Sequence, residues 1–397
     1  VDLARRSLFS DMKDEIKDVV EQMQDDDRHL KVRIFILPGL MGSQLSDRDG
    51  HHGLLWVDPV GLAIGSDFPA LRLTPEGTKD ADQAVRIEAA GPIPLIYDRL
   101  TVSLMAAFGR CVDYLAYDWR KPITFSSKIV ADRIAQKVRD DGDIPVVIIA
   151  HSLGGLVAAK AIEHLKQGYP AIHKRIKGLV AMGTPWKGSF NGALAMTAQG
   201  NTVEQFALLT KWDARDIANI CQTFWGLSDT LPAGNPELLK PEIYAPGPLS
   251  SSPNAAQQLS SPKALNAIPP ANTLAIVCDL FSTVNNLIPT TEGFYREEGP
   301  GDGTVPLWSA TREGTLEAIP VDQKHMTLPL DSKAINATIN RVSDWTSLKP
   351  KMFLNIGEID KTLLSMPPSR DSFIESLENM DDKPLSIGTF TSMLFLG

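Results

Sequence analysis

Cysteine is scarce. The 397 residues hold three, Cys111, Cys221 and Cys278, which are far apart and odd in number. That arrangement argues against a disulfide framework, and no spacing suits zinc. Cys111 and Cys278 sit in strand-like runs, so they read as buried thiols, and a reducing compartment is favoured. Long apolar runs are also missing: none approaches the ~20 residues that cross a bilayer as a helix, and no signal-peptide pattern is visible. Basic charge is in deficit, with a net charge of -9, which argues against nucleic acid because neutralising phosphates needs basic stripes. Contact with lipid survives that test, since a lid binds membranes through apolar surface alone. There is no internal repeat. The chain begins at Val1 rather than Met, so it is expected to be a processed or excised piece of something longer. Hydrophobic content of 43% and charged content of 22% mark a globular protein.

What is present is a β-branched run, Val146 to Ile149, followed by Ala150-His151-Ser152-Leu153-Gly154-Gly155 and a helix-compatible pattern. Strand, sharp turn and helix with a serine at the apex form the context of a nucleophile elbow. The motif usually opens on Gly; Ala150 is the next smallest residue. Further buried strands are expected at Val32–Leu37, Cys111–Tyr117, Gly178–Met182 and Thr273–Val277, with helices at Ser126–Arg139 and Gly155–Lys166. Strands alternating with helices imply a mostly parallel sheet. An amphipathic helix is expected over Asp11–Gln24, ended by the solvated run Asp25-Asp26-Asp27. The alternation loosens between Gly188 and Ala271, a Pro/Ser/Asn-rich stretch read as an inserted cap. Trp212, Trp225, Phe206 and Leu208 there either line an acyl pocket or form the cap's own core. Trp56–Thr74 is a second insertion, and the run Leu54-Leu55-Trp56-Val57 at its start is either docked in the core or exposed to lipid. Beyond Pro350 the pattern changes again, with strands expected at Met352–Ile356 and Phe390–Leu396 and a helix at Arg370–Met380.

A serine nucleophile needs a base and a group that orients the base. Of the seven histidines, His29, His51 and His52 precede the elbow in polar stretches. His151 adjoins the serine, with its side chain expected to point away from the serine's face. His164 and His173 belong to the next helix and loop. His325 lies late, on a loop after a strand-like segment, and is the candidate base. Asp302, framed by Gly301 and Gly303, is the candidate acid, with Asp279 as the alternative. Ser152, Asp302 and His325 then follow the hydrolase order of nucleophile, acid and base. Oxyanion donors are expected from the amides of Leu153, next to the nucleophile, and Leu40, in the turn Pro38–Gly42 after an early strand.

Several motifs together resemble the lecithin:cholesterol acyltransferase family, which includes lysosomal phospholipase A2. They are Leu37-Pro38-Gly39-Leu40-Met41-Gly42-Ser43, Leu55-Trp56-Val57, Tyr117-Asp118-Trp119-Arg120, the elbow, Gly183-Thr184-Pro185-Trp186-Lys187-Gly188-Ser189, Gly301–Pro306 and His325. The resemblance spans roughly residues 32 to 345 and departs from the secreted members in lacking the cysteines that pin the early lid. It implies an α/β-hydrolase fold with a mostly parallel sheet and an inserted cap. The expected organisation is an N-terminal helix (1–28), a core (29–187) with an early lid near 51–75, a cap (188–271), a second stretch of core carrying acid and base (272–348), and a C-terminal extension (349–397). The implied function is a serine-dependent lipid acyl-ester hydrolase of the phospholipase A type. A lipid acyltransferase, a soluble carboxylesterase and a non-catalytic signalling module stand as alternatives. Trp56, Trp119 and Trp186 are the substrate-binding candidates. No metal or organic cofactor is implied. Expected partners are phospholipid or another acyl lipid and a membrane surface, in a cytoplasmic or membrane-peripheral setting, with secretion left open.

Overall fold

A computed structural model describes residues 30–49, 53–56, 68–93, 96–109, 111–260 and 268–350. The readings at Asp11–Asp27, His51–His52, Val57 and beyond Pro350 lie outside the described residues.

The fold is that of an α/β-hydrolase. Its centre is a six-stranded sheet in the order β11-β8-β7-β6-β1-β5. The strands are β1 (Arg33–Leu37), β5 (Val112–Tyr114), β6 (Val146–His151), β7 (Ile176–Met182), β8 (Thr273–Val277) and β11 (Glu317–Pro320). Every pairing in it is parallel. Every residue of β6 and β8 is buried, because helices cover both faces of a parallel sheet and side chains of either parity meet apolar neighbours. Helices α1 (Asp98–Phe108), α2 (Ile123–Lys137), α3 (Leu153–Gly168) and α4 (Ser332–Thr346) flank the sheet. Asp331 caps α4 by accepting the Ala334 amide at 2.7 Å.

Register decides where the loops meet. Leu37 of β1 pairs with Ala150 of β6, and His151 pairs with Met182 of β7. The three strands therefore end level, and the turns that follow Leu37, His151 and Met182 open on one edge. That C-terminal edge is where ligands bind in parallel α/β sheets.

The five strands read from sequence all lie in this sheet, but β5 is shorter than its apolar run. Past Leu115, whose amide still donates to the Ile36 carbonyl at 2.9 Å, the chain leaves the sheet: the Tyr117 amide donates to Ser43 Oγ and its hydroxyl donates to the Pro38 carbonyl at 2.9 Å. Two further sheets escaped the reading. Strands β2 (Ser43–Asp47), β3 (Leu54–Trp56) and β4 (Ile87–Pro92) form a small antiparallel sheet, and β9 (Phe281–Thr290) and β10 (Gly293–Gly301) form a hairpin. The edge strand β11, which the sequence shows only as a strand-like segment before His325, is four residues long and ends in proline.

Residues 188–260 contain short helices and turns and no strand. A stretch with so little regular pairing must satisfy its backbone by side chains. Gln222 and Gln258 do this. Gln222 Nε2 donates to the Met196 and Tyr244 carbonyls, and its Oε1 accepts the Leu249 amide. Gln258 Nε2 donates to the Gln222 carbonyl and to Ser228 Oγ. The segment is tied to the core where Asp229 accepts the Ile123 amide at 2.8 Å.

Candidate active site

Ser152 stands between β6 and α3 with φ 54° and ψ -128°, a strained backbone conformation for a residue with a side chain. Its amide donates to the Met182 carbonyl at 2.8 Å, which holds the turn against β7. Small neighbours make the turn possible. A Cβ at Gly154 would lie 2.5 Å from the Pro38 carbonyl oxygen, and one at Gly39 would lie 2.8 Å from Ser152 Cβ. The turn after β1 and the elbow thus pack too closely for side chains at these positions.

His325 follows β11, and Asp302 follows β10. His325 Nε2 lies 2.8 Å from Ser152 Oγ, and His325 Nδ1 lies 2.7 Å from Asp302 Oδ2. A carboxylate accepts, so Nδ1 carries the proton and Nε2 is left bare toward the serine hydroxyl. Asp302 is itself fixed: Oδ1 accepts the amides of Thr304 at 3.0 Å and Val305 at 2.7 Å. The Asp302 carbonyl accepts the His325 amide at 2.9 Å, so acid and base are joined through main chain as well as side chain. All three residues are buried, Ser152 being 8% exposed. Asp279, the alternative acid, is exposed and makes no such contact with His325. Chemically, the arrangement suits removal of the serine proton by imidazole, with the developing imidazolium stabilised by the carboxylate.

The turn after β1 is held on several sides. Tyr117 holds the Pro38 carbonyl, the Gly42 amide donates to the Gly39 carbonyl at 3.0 Å, Trp56 Nε1 donates to the Met41 carbonyl at 2.8 Å, and the Ile93 amide donates to the Gly42 carbonyl at 2.9 Å. The amides of Leu40 and Leu153 have no hydrogen-bond partner among the described residues. Both residues line the same cavity as Ser152. Two free amides beside a nucleophile are what a developing oxyanion requires.

That cavity has a volume of about 390 Å³. Its reacting end holds Ser152 and His325. Its apolar walls include Trp56, Phe68, Trp119, Phe206 and Phe224, and its polar rim includes Ser282, Arg296 and Glu298 on the β9–β10 hairpin. The aromatic walls interlock: Trp56 packs edge-on to Trp119 with centroids 5.5 Å apart, and Phe206 lies 5.9 Å from Trp56 and 4.9 Å from Phe68. The early insertion and the stretch after Gly188 therefore meet over the serine.

Not every residue singled out from sequence reaches the cavity. Trp186 is buried but lies outside its lining, because the chain turns at Gly183 and brings Pro185 and Ser189 forward in its place. Trp225 is buried and donates to the Pro75 carbonyl at 3.2 Å, bracing residues 188–260 against the early insertion. Leu208 is 85% exposed and faces outward. In the run at Leu54, Leu55 and Trp56 are buried and Leu54 is half-buried; Trp56 donates to the Met41 carbonyl and forms part of the cavity wall. Arg120, wholly buried, donates to Asp118, Asp80 and the Leu71 carbonyl, tying the early insertion to the core. The rim residues Ser282, Arg296 and Glu298 had no signal in the sequence, where they form an unremarked polar hairpin. Among the described residues no cluster of His, Cys, Asp and Glu is arranged to hold a metal ion.

A sequence model of the lecithin:cholesterol acyltransferase family matches residues 106–243, the stretch that carries Trp119, Ser152 and much of the cap. A comparison with curated proteins finds no match. Among solved structures, the chain is similar to one in the Tle4–Tli4 complex, at 12% identity and a TM-score of 0.51, covering 81% of this chain and 100% of that one. EstA from Clostridium botulinum shares 12% identity over 81% of this chain and 88% of that one, TM-score 0.38. The mature lipase BlEst2 from Bacillus licheniformis shares 13% identity over 81% and 94%, TM-score 0.36. Family match and fold together support an acyl-ester hydrolase or acyltransferase.

Proposed function

We propose that this protein is a serine-dependent lipid acyl-ester hydrolase of the phospholipase A type. The observation that carries the reading is the unbroken relay from Asp302 through His325 to Ser152, at 2.7 and 2.8 Å, opening on an aromatic-walled cavity. In this mechanism Ser152 Oγ attacks the acyl carbonyl while His325 Nε2 takes its proton. The Leu40 and Leu153 amides hold the oxyanion of the tetrahedral intermediate. Collapse of that intermediate expels the alcohol or lysolipid, which receives the proton from His325. Water, activated by the same imidazole, then attacks the acyl-enzyme and releases the fatty acid.

Support for a lipid comes from the match to the acyltransferase family and from the cavity's two-ended character. The acyl chain lies against Trp56, Trp119, Phe206 and Phe224, and the polar leaving group lies toward Ser282, Arg296 and Glu298. Residues 188–260 serve as the cap, anchored through Ser189 Oγ to the Thr304 carbonyl at 2.6 Å and through Ser309 Oγ to the Gly188 carbonyl at 2.7 Å. No helix among the described residues is long and apolar enough to cross a membrane.

The family match also favours a second reading, in which an alcohol replaces water in the deacylation step. The deciding experiment treats phospholipid vesicles and a dissolved short-chain ester with the protein, with and without an added long-chain alcohol. Free fatty acid from vesicles supports the hydrolase, and a new ester supports the transferase. Turnover of the short ester alone returns the protein to the carboxylesterases. No turnover and no fluorophosphonate labelling of Ser152 leaves a non-catalytic module.

A further inference from the structure

The side chain next to the nucleophile, His151, is buried and takes no part in the steps above. Its Nε2 lies 3.0 Å from the main-chain carbonyl oxygen of His325. A carbonyl has no proton to give, so Nε2 carries the hydrogen and donates. Nδ1 is then bare and accepts, and the group 3.1 Å from it is the Tyr97 hydroxyl, which must be the donor. The Tyr97 oxygen in turn accepts the Gly39 amide at 2.9 Å. The hydrogen bonds run in one direction: Gly39 amide to Tyr97, Tyr97 to His151, and His151 to the main chain of His325. Burial pushes the Tyr97 phenol up, so it keeps its proton. Burial, reinforced by the neighbouring His325, pushes His151 down to about 3, so it stays neutral. The His151 ring also lies against the His325 ring, with centroids 4.9 Å apart.

Two glycines give this chain its room. A Cβ at Gly42 would come 2.7 Å from the Tyr97 hydroxyl, and one at Gly39 would come 3.1 Å from His151 Nδ1. The phenol therefore sits inside the turn whose next amide, that of Leu40, is free for the oxyanion.

Taking the serine-hydrolase reading as its basis, we propose that Tyr97 and His151 are positioning residues that lock the oxyanion turn Gly39–Gly42 to the main chain of the base His325, setting donor and base in one frame around Ser152. The turn follows the first strand of the sheet and the base follows the last, and His151 contacts the main chain of one while Tyr97 contacts the main chain of the other. Loss of the link leaves each loop folded on its own anchors but free to drift relative to the other. A drift of about 1 Å between catalytic groups costs on the order of 10²-fold in rate.

The test is Tyr97→Phe, which keeps the ring and removes the hydroxyl. The measurements are kcat and KM on a soluble ester, inhibition by an alkylboronic acid whose tetrahedral adduct on Ser152 fills the oxyanion site, and the melting temperature. The expected result is a kcat lowered by about 10²-fold, with boronate affinity falling in parallel and KM and melting temperature held. Values of kcat and boronate affinity within about twofold of wild type overturn the proposal. So does a loss of kcat that follows the melting temperature while boronate affinity of the folded fraction is unchanged. Should Tyr97→Phe fail to fold, nitrogen NMR of the wild-type histidines at neutral pH decides. An Nε2-protonated neutral His151 is expected, and an Nδ1-protonated or cationic ring overturns the chain of donors. A wild type that is inactive on every ester and unlabelled at Ser152 defeats the catalytic reading itself, whereas an active wild type with an unimpaired Tyr97→Phe defeats this proposal alone.

Discussion

The two ends of the cavity are built on different physics. At the reacting end nearly every polar atom has a directed partner: Asp302 accepts from two amides and from His325, and the turn after β1 is held at Pro38, Gly39, Met41 and Gly42. Hydrogen bonds are steep in angle and distance, so this end has one arrangement. At the acyl end the walls are aromatic faces in tilted and edge contact, contributed by separate segments around Trp56, Phe68, Phe206 and Phe224. Such packing is non-directional and tolerates changes of shape. The contrast assigns rate to one end and substrate choice to the other.

The contrast breaks most sharply at the nucleophile. Ser152→Ala is expected to lower turnover by ~10⁴ or more on short and long esters alike, with the fold retained by circular dichroism; a folded variant with near wild-type rates would end the mechanism. Asp302→Asn should cost on the order of 10⁴-fold by presenting His325 in the wrong tautomer, and adding it to Ser152→Ala should cost almost nothing more. A fully active Asp302→Asn would move the acid elsewhere. At the other end, Phe206→Trp fills space beside Trp56 and Phe68. It should lower the ratio of long-chain to short-chain turnover by about tenfold or more. An equal fall on both chain lengths would make Phe206 a packing residue and blur the division. A separate effect concerns stability. Folded His151 stays neutral down to about 3, whereas an imidazole in the unfolded chain titrates near its ordinary value of 6.5, so between these the unfolded chain binds the extra proton. This contribution is complete above about pH 6.5 and is lost as pH falls toward 3, at up to about 1.4 kcal/mol per pH unit. Denaturant titrations of wild type and His151→Gln across that window should differ in pH slope by this amount; parallel curves would show that His151 is not held neutral by its surroundings.

Legibility in the sequence followed the same division. The β-branched run at Val146–Ile149 announced the central strand because a doubly covered strand has no polar face to dilute the signal. The elbow was legible because its turn demands small residues at fixed offsets, and Gly154 and Gly39 each meet a neighbour too close for a Cβ. Chain order singled out Asp302 and His325, and the fold brings both to Ser152. Wherever a residue's role depends on which distant segment covers it, the reading was less secure. Trp186 lies behind the cavity wall, Leu208 faces outward, and Leu55 and Trp56 are buried. Apolar character in an insertion states that burial is favourable, not against what. The hairpin β9–β10 was missed because its polar sequence carries little periodic signal, and the short β11 showed only as a strand-like segment before His325.

The sequence by itself determined the parallel core, the strained serine turn and the identities and order of the three polar residues, since these rest on local sterics and on strand and helix periodicity. Tertiary structure alone decided the rest. It set which aromatic residues face Ser152 across the cap, put Arg296 and Glu298 at the rim, and made Tyr97 and His151 a link between the Gly39 turn and the His325 loop. Each of these depends on segments distant in the chain coming into contact, by hydrogen bonds of 2.9 to 3.1 Å at Tyr97 and His151 and by ring centroids 4.9 to 5.9 Å apart among the aromatic walls, and no pattern local to the chain encodes that proximity.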